Sequence, residues 1–499
     1  MDKRIQKNKK VNEGNRRSSG ANNKSSQRKK ASRKPKEQEK GIKNLGDLIS
    51  VLHHFCPYFN KWLKEIQDFR REDRIIYSAG QLIYEVILSL LSGNDSRNSL
   101  TLNKGNEAFK ANVETLSNEE MEYLPHGDTV DYFFQNLNPE ELEKLIAKSL
   151  HSLHKKKVLN KFRYQNHYLL AIDGVHIKTS KKPMPNSIKI QHKDGRVEYR
   201  LYVLEAKLVS PEGAVFSLAS TFIGEDDLPD ATLVETDADG KITKYPKQDS
   251  ELKAFSRLIE KIKTLYPKWK FCVLLDGLYL TQNVITSLRV NGWYFSITFK
   301  EGSAPKLYKN IQEVLDENTE NQIKNKNGTT LQWKNFLIWE NGDKKISLNV
   351  IGTKKANNKD WAFLYVTNMP INKENAKELQ DEVCRMRWKI ENQGFNEQKN
   401  CGLGLEKVFG TRKHAAQNHY LIVQLAHMVR VLIIHSNMFR VLQRIDNKKI
   451  IKKTIQKPML KFFKTIKHFV KEFYRSIFSF KLTLRNDEFE RLEFAVHYS

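Results

Sequence analysis

The sequence lacks the features that mark secreted and membrane-spanning proteins. It has only four cysteines in 499 residues, too few to staple a chain of this length, so we expect a reducing compartment. No apolar signal-peptide stretch follows the charged N-terminus. The most apolar segment, Leu421 to Ile434, contains Gln424, His427 and Arg430, so we expect no membrane span. These absences predict a cytoplasmic protein.

Several catalytic signatures are also absent. The chain has no G-x-S-x-G elbow and no glycine-rich phosphate loop, and Gly402-Leu-Gly404 lacks the third glycine of a dinucleotide fingerprint. Cys384, Cys401, His414 and His419 offer a zinc site as an alternative, although no C-x2-4-C pair accompanies them. The sequence therefore gives no support to a serine hydrolase, a P-loop NTPase or a dinucleotide-dependent enzyme.

Acidic residues are outnumbered, at 58 Asp and Glu against 85 Lys and Arg, which leaves a net charge of +27. Residues 1–43 carry a net +12 and residues 440–482 a net +11, so two segments hold 23 of the 27 excess charges. A polyanion is the first partner to expect for such a chain. This polyanion should contact both basic segments, near the two ends of the chain.

Changes in composition divide the chain into six segments. Residues 1–43 have almost no apolar side chains and are predicted to be a disordered basic arm, which either only solubilises the protein or follows phosphates. The other predicted segments are a helical N-terminal domain and DNA-binding candidate (44–157), a core in two parts (158–300 and 371–439), a β-rich insertion (301–370) and a basic helical C-terminal segment (440–499).

Periodicity predicts the elements within these segments. Apolar residues three and four apart indicate helices such as the one around Leu82 to Leu91, and nothing distinguishes a DNA-recognition helix from a packing helix. The core alternates between strands and helices, which predicts an α/β fold with a mixed sheet. The predicted strands are Tyr168–Asp173, Tyr199–Leu208, Ala214–Ile223, Lys270–Leu275 and Tyr294–Phe299, and the predicted helices are Asp249–Leu265, Thr281–Val290, Asn375–Ile390 and Ala415–Ile434.

Two aspartates share one context. Asp173 and Asp276 each follow an apolar strand and precede a glycine. A carboxylate buried there needs a compensating partner, and a divalent cation is a good one. The alternative for each is an Asx turn that ends the strand, but the paired occurrence favours a site. His176 either assists at this site or faces a neighbouring strand.

A third acid lies on a predicted helix. Arg387 and Glu391 are four residues apart, so the guanidinium and the carboxylate share a face and can both reach a phosphodiester. The alternative is an ordinary ion pair on a solvated helix.

Together these three acids and Arg387-x3-Glu391 resemble the DDE transposases of bacterial insertion sequences, in particular the insertion-sequence-four group with its Y-x2-R-x3-E-x6-K signature. The resemblance covers roughly Tyr168 to Phe409. It implies an RNase-H-like core with a β-rich insertion, in which Asp173, Asp276 and Glu391 are the catalytic, metal-binding triad.

The resemblance also implies a reaction and its partners. Two Mg²⁺ ions, replaceable by Mn²⁺, would support endonuclease cleavage at transposon ends and cut-and-paste strand transfer. The partners would be double-stranded DNA with terminal inverted repeats, target DNA and a second copy of the chain in a paired-end complex, on the bacterial nucleoid. Arg387, Trp388 and Lys399 would contact DNA. The alternatives are a nuclease without strand transfer and a non-catalytic DNA-binding protein derived from a transposase.

Two positions depart from the signature. Cys384 replaces its tyrosine, and Gln398 replaces its lysine, with Lys399 one residue later. One residue is a rotation of about 100° on an α-helix. Lys399 therefore leaves the face of Glu391 unless the helix unwinds near Gly394.

The C-terminal segment has apolar residues at helical spacing, with basic residues mostly on the other faces. The predicted apolar seam packs either on a partner or within its own chain, and the basic face meets DNA. The seam consists of Phe463, Ile466, Val470, Phe473 and Ile477. Trp293, Trp361 and Trp388 either stack on an extruded base or lie in the core or at its rim.

Overall fold

A computed structural model gives the fold of this chain, all of whose described residues belong to one compact unit, 41–499. The structure describes residues 45–192, 194–224, 235–236, 242–244, 250–317, 320–325, 328–341, 344–355, 361–437, 465–484 and 494. The predicted basic arm and much of the predicted C-terminal segment lie outside these residues.

Helices fill the N-terminal part, as the periodicity predicts. They are α1 (Ser50–Phe55), α2 (Phe59–Lys64), α3 (Ala79–Leu91), α4 (Arg97–Asn103), α5 (Glu107–Ser117), α6 (Gly127–Asn136) and α7 (Pro139–Lys155), with 3₁₀ turns at Leu45–Ile49, Glu72–Arg74 and Val158–Phe162. Helix α3 begins at a capping box, in which Ser78 accepts from the Gln81 N–H and Gln81 accepts from the Ser78 N–H. All its residues are buried, so it is a central helix of the core.

A large mixed sheet follows. Its first strands are β1 (Arg163–Tyr164), β2 (His167–Ser180), β3 (Ile188–Gln191), β4 (Val197–Val209) and β5 (Val215–Ile223), and β6 (Glu235–Thr236) with β7 (Ile242–Lys244) forms a separate hairpin. Strands β2, β4 and β5 form an antiparallel meander. Helix α8 (Glu251–Leu265) then leads to β8 (Phe271–Leu275), a 3₁₀ turn at Gly277–Tyr279, α9 (Gln282–Val290) and β9 (Tyr294–Phe299).

The predicted insertion extends the same sheet. A 3₁₀ turn at Glu301–Ser303 and α10 (Pro305–Glu317), a helix that the periodicity did not predict, precede β10 (Gln322–Lys324), β11 (Thr330–Asn341), β12 (Lys344–Lys354) and β13 (Trp361–Thr367). Strand β13 pairs antiparallel with β9. In the described part of the chain the strand order is β10-β11-β12-β13-β9-β8-β2-β4-β3, with β1 on β2 and β5 on β4. The mixed α/β architecture expected from the strand and helix order is therefore present.

The long helix predicted to end at Ile390 is irregular and runs on to Asn400. It comprises α11 (Ala376–Glu378), a π-helical turn (Leu379–Val383), a 3₁₀ turn (Cys384–Arg387), a second π-helical segment (Ile390–Asn396) and α12 (Glu397–Asn400). We refer to residues 376–400 as the Glu391 helix. Changes of pitch of this kind are frequent at functional sites.

Two further helices complete the described fold. Helix α13 (Ala415–His435) is buried along almost its whole length and contacts α3, α6, α7 and β5. Helix α14 (Ile466–Ser479) buries Phe469, Val470, Phe473 and Ile477 against α3, α5 and the turn Leu45–Ile49. The described part of its apolar seam therefore packs within its own chain, which was one of the two alternatives, and Phe463 lies outside the described residues.

Within the described residues, no helix is both long enough and apolar enough to cross a membrane. The polar residues of α13 explain this for the most apolar segment, since Gln424, His427 and Arg430 are all buried there.

Candidate functional site

Parallel strands bring Asp173 and Asp276 to one edge of the sheet. Strands β2 and β8 pair in parallel up to Ala171 opposite Leu274. Asp173 lies two residues beyond that pair in β2, and Asp276 follows the last residue of β8. The carboxyl ends of such strands are where open α/β sheets usually bind ligands. The pairing of β2 with β8 therefore brings both acids to the same edge of the sheet.

The two aspartates nevertheless differ in context. Strand β2 does not end at Asp173 as predicted but continues to Ser180, because β4 pairs with it beyond the end of β8, with Asp173 opposite Glu205. Asp276 does end its strand, and its Oδ1 accepts the N–H of Leu278 at 2.9 Å. The Asx turn considered from the sequence is thus present at Asp276.

Arg387 connects Asp173 to Glu391. Its Nη1 lies 2.9 Å from Oδ2 of Asp173 and 2.7 Å from Oε1 of Glu391. The guanidinium is mostly buried, whereas 47% of the Glu391 side chain is exposed. The expected Arg387–Glu391 pair forms, and its contact with Asp173 makes it more than an isolated ion pair on a solvated helix.

The site is short of positive charge. Burial raises the pKa of Asp173 to about 7, the Arg387 guanidinium opposes this rise, and the negative charges of Glu391 and Asp276 add to it. Such mutual repulsion shows that the three carboxylates lie within electrostatic reach of one another. At neutral pH an added cation would therefore stabilise the ionised form of Asp173.

A fourth carboxylate, Glu251, borders the site and was missed in the sequence. It is the first residue of α8, and a Cβ built on Gly174 would lie 3.2 Å from its Cδ and Oε2. The hydroxyl of buried Tyr279 donates to its Oε1 at 2.5 Å. Gly174 therefore leaves room for Glu251 beside Asp173. The predicted cap of α8, Asp249, lies outside the described residues, and Ser250 caps the helix.

The second π-helical segment changes which residues share a face with Glu391. A π-turn is closed by an i→i+5 hydrogen bond, so it holds one residue more than an α-turn. Residue 399 then takes the place that residue 398 has on a regular helix. In agreement, Gln398 is fully buried and bonds Gln424 at 2.7 Å, whereas Lys399 reaches Glu406 at 2.7 Å.

Lys399 also lies near the strand of Asp173. Burial lowers the pKa of His176 on β2, and the Lys399 ammonium lowers it further. The ring of His176 lies 5.1 Å from the ring of Tyr202, its partner across the strands. His176 therefore faces a neighbouring strand, which was one of the two interpretations of this residue.

Cys384 and the three tryptophans occupy different environments. Cys384 is buried, and burial raises the pKa of its thiol to about 12, so it is not placed to contact DNA as a signature tyrosine would. Trp293 and Trp361 lie in the core, whereas Trp388 is 49% exposed. Trp388 is next to Arg387 in sequence and is the one of these three that could meet a ligand.

The described residues contain no ready-made metal site. In that part of the chain, no three His, Cys, Asp or Glu side chains are grouped closely enough to hold an ion. The zinc site considered from the sequence is therefore not formed by the described residues. One of its candidate ligands, His419, is buried and bonded to the carbonyl of Gly404 at 3.0 Å. At the acidic site, Arg387 lies between Asp173 and Glu391.

Residues 240–429 match the family model of the transposase DDE domain. This match supports a DDE transposase. The matched segment of the transposase domain contains Asp276, Arg387 and Glu391 and begins after Asp173. Transposases of this family act on DNA, which agrees with the basic charge of the chain. None of the curated proteins matches the chain.

Proposed function

We propose that the protein is a DNA transposase that cleaves the ends of its own element and joins them to target DNA, by cut-and-paste transposition on an RNase-H-like core. The observation that carries this proposal is the arrangement of Asp173, Asp276 and Glu391. They come from two parallel strands and one helix and lie within electrostatic reach of one another. The match to the transposase DDE domain supports the same reaction class.

The three acids would hold Mg²⁺, with Mn²⁺ as a substitute. Carboxylate oxygens are the ligands that these hard cations prefer, and the negative charges of Glu391 and Asp276, which add to the rise in the pKa of Asp173 caused by burial, favour a cation beside it. When bound, the cation supplies activation of the attacking oxygen and stabilisation of the leaving oxygen. The chain's own contribution is to present two carboxylates from the edge of the sheet and the third from the Glu391 helix.

Arg387 can pair either with the site carboxylates or with a DNA phosphate. Without DNA its guanidinium neutralises Asp173 and Glu391. A DNA phosphate is a strong competitor, because arginine binds phosphate with paired, charge-assisted hydrogen bonds. We infer that arrival of DNA draws Arg387 onto a phosphate and leaves the two carboxylates to the metal. The group that holds the site together without DNA would then help to bind the substrate.

Trp388 and Lys399 would complete the contact with the transposon end. The exposed indole of Trp388 offers a surface on which a base can stack. Lys399 shares the Glu391 face and offers an ammonium to the backbone. The proposed position of Lys399 follows from the pitch of the Glu391 helix, since a regular helix would turn Gln398 to that face instead.

The proposed reaction also implies a homodimer and further DNA-binding regions. Joining two transposon ends requires that both terminal inverted repeats be held together, so we expect a homodimer in the paired-end complex. The helical segment 44–157 is our candidate for binding the repeats. The basic residues of α14 add contacts to the DNA backbone, since Lys467, Lys471 and Arg475 are exposed.

The test is a cleavage reaction. Purified protein and its Glu391→Gln variant are incubated with Mg²⁺ and a DNA fragment that carries the terminal sequence flanking its gene. We expect cuts at the element boundary with the wild-type protein only. Glu382→Gln is the matched control, because it makes the same change at an exposed acid of the same helix and should cleave normally.

The products distinguish the alternatives. Cuts followed by joining to target DNA support the transposase. Cuts without joined products, in a reaction that contains paired ends and target, support a nuclease. End binding without cuts in Mg²⁺ or Mn²⁺ supports a non-catalytic DNA-binding protein and would overturn the proposal.

A further inference from the structure

A buried polar cluster lies beneath the Glu391 helix. Lys207 and Glu205 of β4, Gln398 of the helix and Gln424 of α13 are all essentially inaccessible to solvent. The Lys207 ammonium donates to Oε1 of Gln424 at 2.5 Å and lies 3.5 Å from Oε1 of Glu205. Gln398 donates to the same Gln424 oxygen at 2.7 Å. One carbonyl oxygen thus joins the strand, the helix and α13.

The acidic member of the cluster is itself held firmly. Tyr420 of α13 donates its hydroxyl to Oε2 of Glu205 at 2.6 Å, and Ser217 of β5 donates to Oε1. Glu205 also lies directly opposite Asp173 in the β2–β4 ladder. The cluster therefore connects the strand beside Asp173 to the helix that carries Glu391.

Lys207 makes a second, steric contact with the helix. A Cβ built on Gly394 would lie 3.1 Å from Cδ and 3.2 Å from Cε of Lys207. The ammonium lies 5.5 Å from the centroid of the Phe395 ring. The aliphatic part of Lys207 fills the space that a side chain at position 394 would need, so the helix lies against β4 at its π-helical segment.

Stability of the fold does not require a buried charge pair in this space. Well-packed apolar side chains of similar volume often stabilise a fold as well or better. Hydrogen bonds, however, have preferred directions, and apolar contacts tolerate rotation and sliding. The cluster meets the helix at Gly394, Phe395 and Gln398, so it resists rotation of the helix about its own axis.

We propose that Lys207 is a positioning residue of the candidate site, whose hydrogen bond to Gln424 and contact with Gly394 set the rotation of the helix that carries Glu391 and Lys399. The proposal rests on the proposed function for its consequence, which is cleavage, but not for its geometry. Lys207 touches no reacting atom. It acts through the orientation of Glu391.

The test variant is Lys207→Met in the full chain, which keeps most of the side-chain volume and removes the ammonium. With saturating end DNA, we expect single-turnover cleavage to fall by about 100-fold, as displacements near 1 Å can produce. Saturation removes any contribution from weaker DNA binding through Lys399. Backbone amides of residues 390–400 should exchange hydrogen faster than in the wild type, since the helix has lost an anchor. If this variant does not fold, Gln424→Leu removes the same link without leaving an unpaired Glu205.

Asn112→Ala is the matched control for general loss of stability. Asn112 is buried far along the chain from the site and bonds the carbonyls of Ile477 and Phe480 and the N–H of Leu482. It should lower the melting temperature while cleavage and exchange in the Glu391 helix stay normal, in assays below both melting temperatures.

Three outcomes test whether Lys207 positions the Glu391 helix. Normal cleavage and normal helix exchange in Lys207→Met would overturn the proposal. So would an equal loss of cleavage in Asn112→Ala, because the effect would then follow stability alone. If the wild-type protein does not cleave DNA at all, the proposed function fails, and faster exchange confined to residues 390–400 still supports the positioning role.

Discussion

The strand-borne and helix-borne parts of the candidate site are held in place by different interactions. Backbone ladders place Asp173 and Asp276, through the β2–β4 and β2–β8 pairings. Side chains place Glu391, since its helix changes pitch several times between residues 376 and 400 and is fastened by Arg387 and Gln398. A ladder tolerates many side-chain changes, whereas the helix depends on individual ones. Substitutions of the strand acids should therefore remove groups that the reaction needs. Substitutions that affect the helix should instead misplace Glu391.

The largest expected effect comes from the strand acids. Asp173→Asn and Asp276→Asn should abolish Mg²⁺-dependent cleavage while end binding persists, because each removes a carboxylate that we propose to bind the metal and keeps the side-chain shape. Cleavage and DNA binding by the purified variants check this. Full cleavage by either variant would remove that residue from the triad.

Asp173→Asn should also change the pH dependence of stability. The folded pKa of Asp173, about 7, lies above its ordinary value of 3.8, so the native state binds more protons between these values than the unfolded state does. Its contribution to the free energy of unfolding is then lost as pH rises through that window. Denaturant unfolding at pH 4 to 7.5 should show a smaller decline for the variant than for the wild type.

Arg387 joins the two parts, and its removal should have the next largest effect. Arg387→Gln is expected to lower cleavage at neutral pH by about 100-fold, the size of effect found for the loss of one preorganised charge-stabilising donor. Because the guanidinium lowers the pKa of Asp173, its removal should move the rising limb of the pH–rate profile to higher pH. More Mg²⁺ should move the limb back, since the cation competes with the proton. An unmoved limb would contradict the role of Arg387.

A smaller effect should come from the register of the helix. Lys399→Gln is expected to lower the salt dependence of end binding by about 0.9 in the log–log slope, the value of one duplex phosphate contact. Deleting exposed Asn392 should leave that slope intact, because Lys399 then follows Glu391 at the spacing of a regular α-helix. Asn392→Ala is the control for the side chain itself. A slope unchanged in Lys399→Gln would place this lysine away from DNA.

The smallest effect concerns the strand part and its neighbour Glu251. Gly174→Ala should cost about 1 kcal/mol of unfolding free energy, because the new methyl group is crowded by the carboxylate. Glu251→Asp withdraws that carboxylate by one methylene and should recover part of the loss. Urea unfolding of both single variants and the double variant measures the coupling. Strictly additive free energies would show that the two residues do not meet in solution.

Local patterns predicted much of this protein. The spacing of apolar residues around Leu82 to Leu91 indicated the buried helix α3, and short apolar runs that end in Asp-Gly located Asp173 and Asp276. Residues that are close in sequence determine these features, so the periodicity of apolar residues is enough to predict them. The irregular pitch of the Glu391 helix was foreseen only as a condition for Lys399 to face the site. Its π-helical segment meets Lys207 at Gly394, a contact with a strand that is distant in sequence.

Glu251 shows why other site residues escaped detection. It lies at the start of an ordinary amphipathic helix, and no local motif distinguishes it from Glu260, the other acid of that helix. Only the packing of α8 against β4 and β5 brings it to Gly174 of β2. Helix α14 is a similar case, because an amphipathic pattern states that one face is apolar and not which surface will cover it.

The sequence by itself determined the mixed α/β class and the basic character of the chain and singled out three acids as candidates, because composition, periodicity and turn residues act over a few residues. The tertiary structure decided that Asp173 lies inside a strand, that Arg387 bridges two of the acids, and that Gln398 is buried against Gln424 while Lys399 pairs with Glu406. The physical reason is burial. The pKa of Asp173 and the rotation of the Glu391 helix depend on groups that only folding brings within a few ångströms, where lost solvation and directional hydrogen bonds outweigh local preference.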